Sequence, residues 1–465
     1  MKKALIRGFR KIFPAKITEG VAGGVRGFRA FLARSFYGNP AKDLKIIGIT
    51  GTNGKTTSVN YVNEVLKADG KKTAMFSTAT IEIAGERKHN DMNLSVLPVW
   101  ELMKFLSLAK RAGVDYVVLE ATSQALHQKK LDGVKFEVSA LTNLSQDHLD
   151  YHGTMDKYAA AKMILFMNEP RFSIVNRDDM YYKDFAKFPA SEGVISYGYD
   201  VNSDVQILSQ KLYRRGTECT VKVGDKKMEL ATGLPGEFNV YNMTLAATVG
   251  MALGISDEAI ADGLANLEDL PGRFELVVDG AESPGGFDVV VDYAHTPDAL
   301  EQLLYSAKEI LKKKKSGSGS GGKGRVILVF GAMGERDAIK RPIMGRIAAE
   351  NADLIFLTDE ENDREPREAI RADIMKGLQE AMTEFDLSRR VVELDDRKAA
   401  IAAALDTARS GDMILVAGLG HETIRLLDGE KVQWNDANIV LDILNGSQLV
   451  NHYKKAIGSA PKSTN

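Results

Sequence analysis

The sequence predicts an α/β protein with two sheet-based domains. The first is a central P-loop domain with a parallel sheet and an antiparallel flap, and the second is a Rossmann-like α/β domain. Three observations predict this fold. The chain has 465 residues, too many for one hydrophobic core. Short apolar runs alternate with helical stretches, as in parallel sheets that are covered on both faces. A glycine-rich segment at residues 51–57 stands between a predicted strand and a predicted helix.

The elements of the central domain follow in order. A strand over Lys45–Thr50 leads into the glycine-rich segment, and apolar positions on one helical face place Thr56–Ala68 in a helix. Further helices are expected after Pro98 and over Met155–Met167. Residues 193–230 alternate polar and apolar positions, which predicts the short antiparallel strands of the flap. Buried strands are predicted at Tyr116–Leu119, Val138–Leu141 and Phe172–Val175.

A second series of strands and helices begins near Arg273, and helical stretches join its strands. The predicted strands are Asp288–Asp292, Arg325–Phe330, Asp353–Leu357, Val391–Leu394 and Asp412–Val416. The expected domains are therefore residues 1–44, 45–271 and 272–465. The run Lys312–Gly324, rich in Lys, Gly and Ser, is expected to be an exposed loop within the last domain.

Composition limits the function classes. A net charge of -2 gives no reason to expect a nucleic-acid partner. The sequence has no apolar run of the length that spans a bilayer. The single cysteine, Cys219, is interpreted as structural, and the absence of a possible disulfide pair suits a reducing cytoplasm. A cytoplasmic monomer is expected.

The first 44 residues differ from the rest. Six Lys and Arg residues interleave with apolar ones in the first 16 positions, which allows a short basic amphipathic helix. Two interpretations stay open. The segment could pack on the next domain or fray, or it could make weak contact with an anionic membrane surface.

The segment GTNGKTT has the composition and position of a phosphate-binding loop. Its glycines let backbone N–H groups converge on phosphate oxygens, and the helix N-terminus adds a positive dipole end. Lys55 would reach the β- and γ-phosphates, and the Thr56 hydroxyl would hold Mg²⁺. Ile49 stands where the longer Walker pattern has glycine, so this is a shortened form. The predicted nucleotide contacts are Gly51, Thr52, Asn53, Gly54, Lys55, Thr56 and Thr57.

Two further side chains are candidate metal ligands. Glu120 and His148 follow predicted parallel strands, at the sheet edge where α/β proteins bind their ligands. Taken alone, Glu120 would be read as solvated and His148 as a hydrogen-bonded surface histidine.

Eight segments occur in an order typical of one enzyme family. They are GITGTNGKTT, LEATSQALHQ, LTNLSQDHLDYHGTMDKYAAAKMILF, LPGEFNVYN, LPGRFE, VDYAHTPDAL, FGAMGERDAIKRP and AGLGHE. Together they resemble the Mur ligases, most closely the muramyl-tripeptide synthetases of the MurE type, from about Lys45 to about Asp436. The resemblance implies an ATP- and Mg²⁺-dependent, ADP-forming ligase of peptidoglycan precursor synthesis. Such a ligase activates a muramyl dipeptide carboxylate as an acyl phosphate and joins it to an amino acid.

The resemblance also implies roles for individual residues. Lys55, Glu120, His148 and Lys162 would form the catalytic set. Lys162 matches a lysine that is carbamylated in this family, and a carbamate can hold a metal. Without the resemblance, Lys162 would be read as an exposed helix lysine. The implied Mg²⁺ ligands are Thr56, Glu120, His148 and Lys162. The implied further ATP contacts are Asn239, Asn242, Arg273 and Asp292, with His295 in the same DYAH motif as Asp292.

Departures from the family pattern concern the two substrates. The family has a uridine-binding domain before the first strand, where this chain has 44 residues, so a nucleotide-free or lipid-linked acceptor is the alternative to a UDP-linked one. The acceptor motif Thr-Thr-Pro is replaced by Leu94–Pro98. The diaminopimelate motif Asp-Asn-Pro-Arg is replaced by Thr358–Arg364, and Arg364 is displaced. Glu422 is expected to receive a distal amine, which favours a cationic amino acid. The substrate residues carried over are Thr122, Gln128, Lys130, Gly418 and Glu422.

Other functions stay open from the sequence. Folylpolyglutamate synthetase shares the phosphate loop, but DHLDYHG and DYAHTPDAL argue against it. A non-catalytic ATP-binding subunit would not need the intact catalytic set. A kinase or ATPase would release ADP without an incoming amine.

Overall fold

The computed structural model describes residues 15–90, 97–283, 285–314 and 324–446. Several predicted features lie outside these residues. They are the basic segment at residues 1–14, most of the replaced acceptor motif at 94–98, and most of the loop at 312–324. The described part of the first 44 residues forms helix α1 (Ala15–Phe36) and a 3₁₀ turn over Pro40–Asp43.

The larger of two main sheets has eleven strands in the order β11-β10-β9-β8-β7-β6-β1-β5-β2-β3-β4. The central strands from β2 to β9 pair in parallel, and both edges are antiparallel. Its strands are β1 (Lys45–Thr50), β2 (Thr73–Phe76), β3 (Thr80–Ile83), β4 (Glu86–His89), β5 (Tyr116–Glu120), β6 (Val138–Leu141), β7 (Phe172–Asn176), β8 (Gly193–Gly198), β9 (Val205–Tyr213), β10 (Gly216–Val223) and β11 (Lys226–Thr232).

Helices connect and cover these strands. They are α2 (Lys55–Ala68), α3 (Val99–Arg111), α4 (Ser123–His127), α5 (Leu149–His152), α6 (Met155–Met163), α7 (Tyr182–Ala186), α8 (Phe238–Ala252) and α9 (Asp257–Ala265). Strands β1, β5 and β6 are almost completely buried because helices pack on both faces of the sheet. Their Val, Ile, Leu and Ala side chains form the two cores of this part of the molecule.

The structure corrects parts of the element assignment. The helix predicted over Met155–Met167 ends at Met163. The predicted flap begins later than expected, because β8 pairs in parallel with β7 and only β9–β11 are antiparallel. The hairpin strands β2, β3 and β4 were not predicted. Cys219 is buried in β10, as its structural interpretation requires.

The second main sheet has six strands in the order β12-β13-β17-β14-β15-β16, and all except β12 pair in parallel. This confirms the predicted second α/β unit. Its strands are β12 (Glu275–Val278), β13 (Asp288–Asp292), β14 (Val326–Phe330), β15 (Leu354–Leu357), β16 (Val391–Glu393) and β17 (Met413–Ala417). A separate hairpin consists of β18 (Ile424–Leu427) and β19 (Glu430–Gln433).

The helices of this unit connect successive strands of the second sheet, except the last, which follows the β18–β19 hairpin. They are α10 (Pro297–Lys314), α11 (Lys340–Asn351), α12 (Arg367–Ala381), α13 (Glu384–Arg390), α14 (Arg397–Thr407) and α15 (Asp436–Gly446). The predicted loop at 312–324 therefore begins too early, because α10 continues to Lys314. In the part of the chain that the structure describes, no helix has the length and apolarity needed to cross a membrane.

Candidate active site

The phosphate loop joins β1 to α2 at the carboxyl edge of the large sheet. Thr52 N donates to Asn143 O at 2.8 Å, and Asn53 N donates to Asn143 Oδ1 at 3.0 Å, so the segment after β6 holds the loop. Gly54 has φ of 79°, and a Cβ there would lie 2.3 Å from Asn242 Oδ1. Only glycine fits this position because it tolerates positive φ and has no Cβ.

Lys55, Thr56 and Glu120 meet at the start of α2. The Thr56 hydroxyl donates to Glu120 Oε2 at 2.9 Å, and Thr78 N donates to the same oxygen at 2.9 Å. Lys55 Nζ donates to Thr52 O at 2.6 Å. Burial lowers the pKa of Lys55, against the opposing effect of the Glu120 and Asp147 carboxylates. The group thus combines a lysine with two adjacent hard oxygen donors.

This oxygen pair fits Mg²⁺, which takes one or two protein oxygens and keeps waters and phosphate oxygens for its other positions. In the described ranges, no group of three or more His, Cys, Asp or Glu side chains could hold a metal ion. A site here would therefore depend on Thr56, Glu120 and ligands that the substrates supply.

His148 lies in the cleft close to this group. Its backbone has φ of 54°, and its Nε2 lies 3.3 Å from Asp147 Oδ2. Burial lowers the pKa of His148, and the positive charges of Lys162 and Lys55 lower it further. A neutral imidazole is the form that binds metals.

Lys162 is buried in α6, so its reading as an exposed helix lysine is wrong. Its side chain is 1% exposed, and Nζ donates to Gly51 O at 2.5 Å. Burial, followed by the charge of Lys55, lowers the pKa of Lys162 well below its usual value. Mg²⁺ prefers oxygen ligands over an amine nitrogen, so Lys162 fits a magnesium site only if its amine is modified to carry oxygen atoms.

The predicted ATP contacts from α8 lie behind the phosphate loop. Asn242 Oδ1 accepts from Ser58 Oγ at 3.3 Å, and Asn242 Nδ2 donates to Asn239 Oδ1 at 3.1 Å. Asn242 lines the cleft, whereas Asn239 is buried beneath it and donates to Pro235 O at 2.7 Å. Asn239 thus orients Asn242.

The predicted contacts from the second unit reach the same place. Arg273 Nη2 donates to Thr56 Oγ1 at 3.2 Å, and its guanidinium stacks 4.6 Å from the ring centre of Tyr293. Asp292 accepts from Phe274 N at 2.6 Å and from Ala294 N at 2.8 Å. Burial raises the pKa of Asp292 to about 6. Arg273 therefore connects the two sheets at the phosphate loop.

Polar contacts join the phosphate loop to the start of α10 and the residue before it. Asn53 Nδ2 donates to Asp298 Oδ2 at 2.6 Å, and the Thr296 hydroxyl donates to Asn53 Oδ1 at 3.3 Å. Sequence reasoning assigned no role to Asp298 or Thr296. Both stand in the DYAHTPDAL segment, so a motif match marked the segment without identifying these contacts.

Asp147 is a third residue between the two units whose role was not predicted. It lies 3.7 Å from Lys340 Nζ and 3.9 Å from His295 Nε2, both in the second unit. Burial favours the neutral acid, but interactions with His148, Lys340 and His295 outweigh it and lower the pKa of Asp147. Burial, together with the nearby charge of Lys340, lowers the pKa of His295 to about 3.

The predicted acceptor residues do not all converge. Thr122 lines the cleft and caps α4, because its hydroxyl accepts from Ala125 N at 3.2 Å. Gln128 Nε2 donates to Tyr151 OH at 3.2 Å, and Lys130 lines a separate hollow with Leu131. Neither Gln128 nor Lys130 lines the main cleft. Their role in acceptor binding stays a prediction.

Gly418 and Glu422 are the residues predicted to bind the incoming amino acid. Gly418 lies against the carboxylate of Glu360, which was not predicted from the sequence. The Tyr293 hydroxyl donates to Glu422 Oε1 at 3.5 Å, and burial, with the nearby Glu361, raises the pKa of Glu422 to about 7. A Cβ on Gly418 would lie 2.5 Å from Glu360 Oε2. Glu360 is 2% exposed, its oxygens have no hydrogen-bond partner among the described residues, and burial raises its pKa to about 7.

One cleft of about 490 Å³ contains most of these groups. It runs between the two sheets and is lined by both. The predicted site residues that line it are Thr52, Asn53, Gly54, Lys55, Thr56, Thr57, Glu120, Thr122, His148, Lys162, Asn242, Arg273 and Asp292. Gly51 lies directly beneath them, whereas Gly418 and Glu422 lie outside this cleft, on the side of Tyr293.

The chain is similar to known families and proteins over most of its length. Residues 49–250 match the Mur ligase middle domain, and residues 272–420 match the Mur ligase glutamate ligase domain. A relative from Syntrophomonas wolfei is 35% identical over 425 residues, which are 90% of this chain and 82% of the relative. A relative from Aquifex aeolicus is 37% identical over 418 residues, 89% of this chain and 80% of the relative. Both are named UDP-N-acetylmuramoyl-L-alanyl-D-glutamate--2,6-diaminopimelate ligase.

Solved structures agree with this similarity. A structure with the same ligase name superimposes with a TM-score of 0.60 at 28% identity, covering 93% of this chain and 83% of the other. The MurF ligase from Thermotoga maritima in complex with ADP gives a TM-score of 0.64, covering 95% and 87%. At 17% identity, that second likeness shows the fold alone.

Proposed function

This chain belongs to the Mur ligase family of ATP-dependent ligases, and we propose that it joins an amino acid to a carboxylate of a muramyl dipeptide. The names of its relatives support the acceptor class, because those ligases act on a muramoyl-alanyl-glutamate. The products would be an amide, ADP and phosphate.

The observation that carries this proposal is the meeting of both units at the phosphate loop. Arg273 of the second unit donates to Thr56 of the loop, and Lys55 lies beside them. Bound ATP would place its phosphates against the loop amides. Lys55 and Arg273 would then stabilise the negative charge that spreads over the transferring phosphoryl group.

The two units would carry the two halves of the reaction. The acceptor carboxylate attacks the γ-phosphorus of ATP, which releases ADP and forms an acyl phosphate. The amine of the amino acid then attacks the acyl carbon, the C–O bond to phosphate breaks, and the amine proton leaves. Because the cleft lies between the units, their contact brings the reactants together and excludes water that would hydrolyse the acyl phosphate.

Thr56 and Glu120 would hold Mg²⁺, with His148 and Lys162 as further ligands. The ion would neutralise phosphate charge and orient the phosphates. For Lys162 we propose a carbamate, formed when the neutral amine attacks CO₂ and loses a proton. The burial of Lys162 and its lowered pKa support this step, because both favour the neutral amine.

The incoming amino acid would carry a cationic side chain. Glu360 is buried and Glu422 is partly buried, and the charges of both raise the pKa of Tyr293. Neither carboxyl group has a Lys or Arg within ion-pair distance among the described residues. A distal amine of lysine or diaminopimelate would supply the missing charge. Buried carboxylates gain most from such a partner, because it compensates their desolvation.

The test is ADP release measured with a panel of amino acids and with UDP-linked and nucleotide-free muramyl dipeptide. We expect ADP release to require both an acceptor and a cationic amino acid. Release without an amine would identify a kinase or ATPase instead. A preference for the nucleotide-free acceptor would identify a Mur ligase with a different acceptor.

Lys55→Ala is the variant that tests the phosphate loop. We expect ADP formation to fall about 100-fold or more, since the variant loses a charge that stabilises the transition state. The matched control is Lys71→Ala, an exposed lysine just after α2. Wild-type turnover in a folded Lys55→Ala protein would contradict the assignment.

A further inference from the structure

Helix α1 presents its large apolar side chains to solvent and its small ones to the protein. Ala30 and Ala33 are buried, and Gly27 faces Lys129 and Asp132 in the loop after α4. The opposite side, which we call the outer face of α1, is exposed. It consists of Val25, Phe28, Phe31, Leu32 and Phe36, with Phe28 61% and Phe36 74% exposed.

The residues of this face belong together geometrically. Positions 25, 28, 32 and 36 follow the spacing that places side chains on one side of a helix. Trp100 of α3 extends the face, because its ring lies 5.6 Å from that of Phe36 and is itself 36% exposed. An ordinary surface helix turns such residues inward. Contiguous apolar surface of this kind marks a binding face.

The charge of this region indicates what binds there. Nine of the first 36 residues are Lys or Arg, and Glu19 is the one acidic residue among them. The whole chain carries a net charge of -2, so the rest of the molecule is acidic. Arg29 is exposed beside Phe28. Residues 23–36 include Arg26, Arg29 and Arg34 and no Asp or Glu. A second copy of the chain would bring two basic helices together, which charge repulsion opposes.

We propose that the outer face of α1 docks on an anionic lipid bilayer. Aromatic side chains would enter the boundary between headgroups and acyl chains, and Arg29 would contact lipid phosphates. The loop on which α1 packs directly follows α4, and the N-cap residue of α4, Thr122, lines the cleft. Docking would therefore hold the acceptor side of the cleft near the bilayer. This proposal does not depend on the ligase reaction.

The experiment uses the full chain with vesicles of phosphatidylcholine alone or with one third phosphatidylglycerol. Trp434→Phe leaves Trp100 as the single tryptophan. We expect this protein to float with the anionic vesicles and its Trp100 emission to shift to the blue. Phe28→Gln/Phe31→Gln, made in the same background, should weaken partitioning roughly tenfold or more. The control variant, Phe385→Gln, alters an exposed phenylalanine on α13 and should bind normally.

Three results would overturn the proposal. The first is no flotation and no emission shift with anionic vesicles. The second is flotation that Phe28→Gln/Phe31→Gln leaves unchanged, which would assign binding to other residues. The third is a stable dimer in sedimentation equilibrium that dissociates on that substitution, which would identify a second copy as the occupant. A melting temperature equal to that of the parent protein excludes misfolding of the variants.

Discussion

Glu360 offers the most quantitative test of the amino-acid region. Its carboxyl group is buried, its oxygens have no hydrogen-bond partner among the described residues, and burial raises its pKa from 4.5 to about 7 despite Arg397 and Lys340. We consider Glu360→Gln, which keeps the shape and removes the charge. The difference between the folded and unfolded pKa values corresponds to about 3 kcal/mol.

The sign follows from proton binding. Between pH 4.5 and about 7, the folded state holds a proton on Glu360 that the unfolded state has released. Stability therefore falls as pH rises through this window, and above it the full cost of the buried charge remains. Glu360→Gln has no ionisable group at this position, so its stability does not include the cost of a buried charge. Its advantage in unfolding free energy should grow by about 2 kcal/mol between pH 5 and pH 8.

Urea unfolding of wild type and variant at pH 5 and pH 8 measures this difference. The matched control is Glu368→Gln, an exposed glutamate on α12, for which the difference should stay constant with pH. A Glu360→Gln protein that is less stable than wild type at pH 8 would refute the reasoning. It would show that the carboxylate is ionised and stabilised by Arg397 or Lys340.

Three further substitutions test the cleft and its surroundings. Lys162→Met should fold with unchanged or higher stability, because it removes a buried amine, yet ADP release should fall about 100-fold or more; wild-type turnover would contradict a role in metal binding. Gly54→Ala should raise the KM for ATP about tenfold or more, because its Cβ would collide with Asn242; Gly70→Ala has a similar φ of 73° and no neighbour within 4 Å, and should leave KM unchanged. Glu422→Gln should raise the KM for a cationic amino acid about tenfold or more with kcat little changed, because a charged hydrogen bond is lost; an equal KM, measured beside the exposed control Glu430→Gln, would exclude Glu422 from amino-acid binding.

The parallel strands could be predicted from sequence because each is a continuous apolar run. Strands β1 and β13 have the predicted bounds because their central residues, IIGI and VVV, are buried on both faces of the sheet and apolar. The phosphate loop was equally visible, because its glycines, lysine and threonines are adjacent in sequence. Strand β4, Glu86–His89, could not be predicted in this way because it is a largely exposed edge strand of charged residues.

Side-chain burial could not be predicted from local sequence either. Lys162 stands in the helix segment YAAAKM, where periodicity gives it no clear face, and only the packing of α6 against the phosphate loop buries it. Glu360 follows β15 among other acidic residues, a composition typical of a solvated loop. Its burial depends on residues distant in sequence, because Gly418, 58 positions later, packs against its carboxyl group.

Asp147 shows why the site depends on both units rather than on the phosphate loop alone. Its carboxylate belongs to the first unit, but two of the three residues whose interactions lower its pKa, Lys340 and His295, belong to the second. If the two units separated, the Asp147 carboxylate would lose Lys340 and His295 and become exposed to water. Its contact with His148, which belongs to the same unit, would remain. The electrostatic environment of the proposed metal ligands therefore depends on residues of both units. The acyl phosphate of the proposed reaction needs both protection from water and a nearby amine. A site that takes charged groups from both units would meet these needs only while the units are in contact.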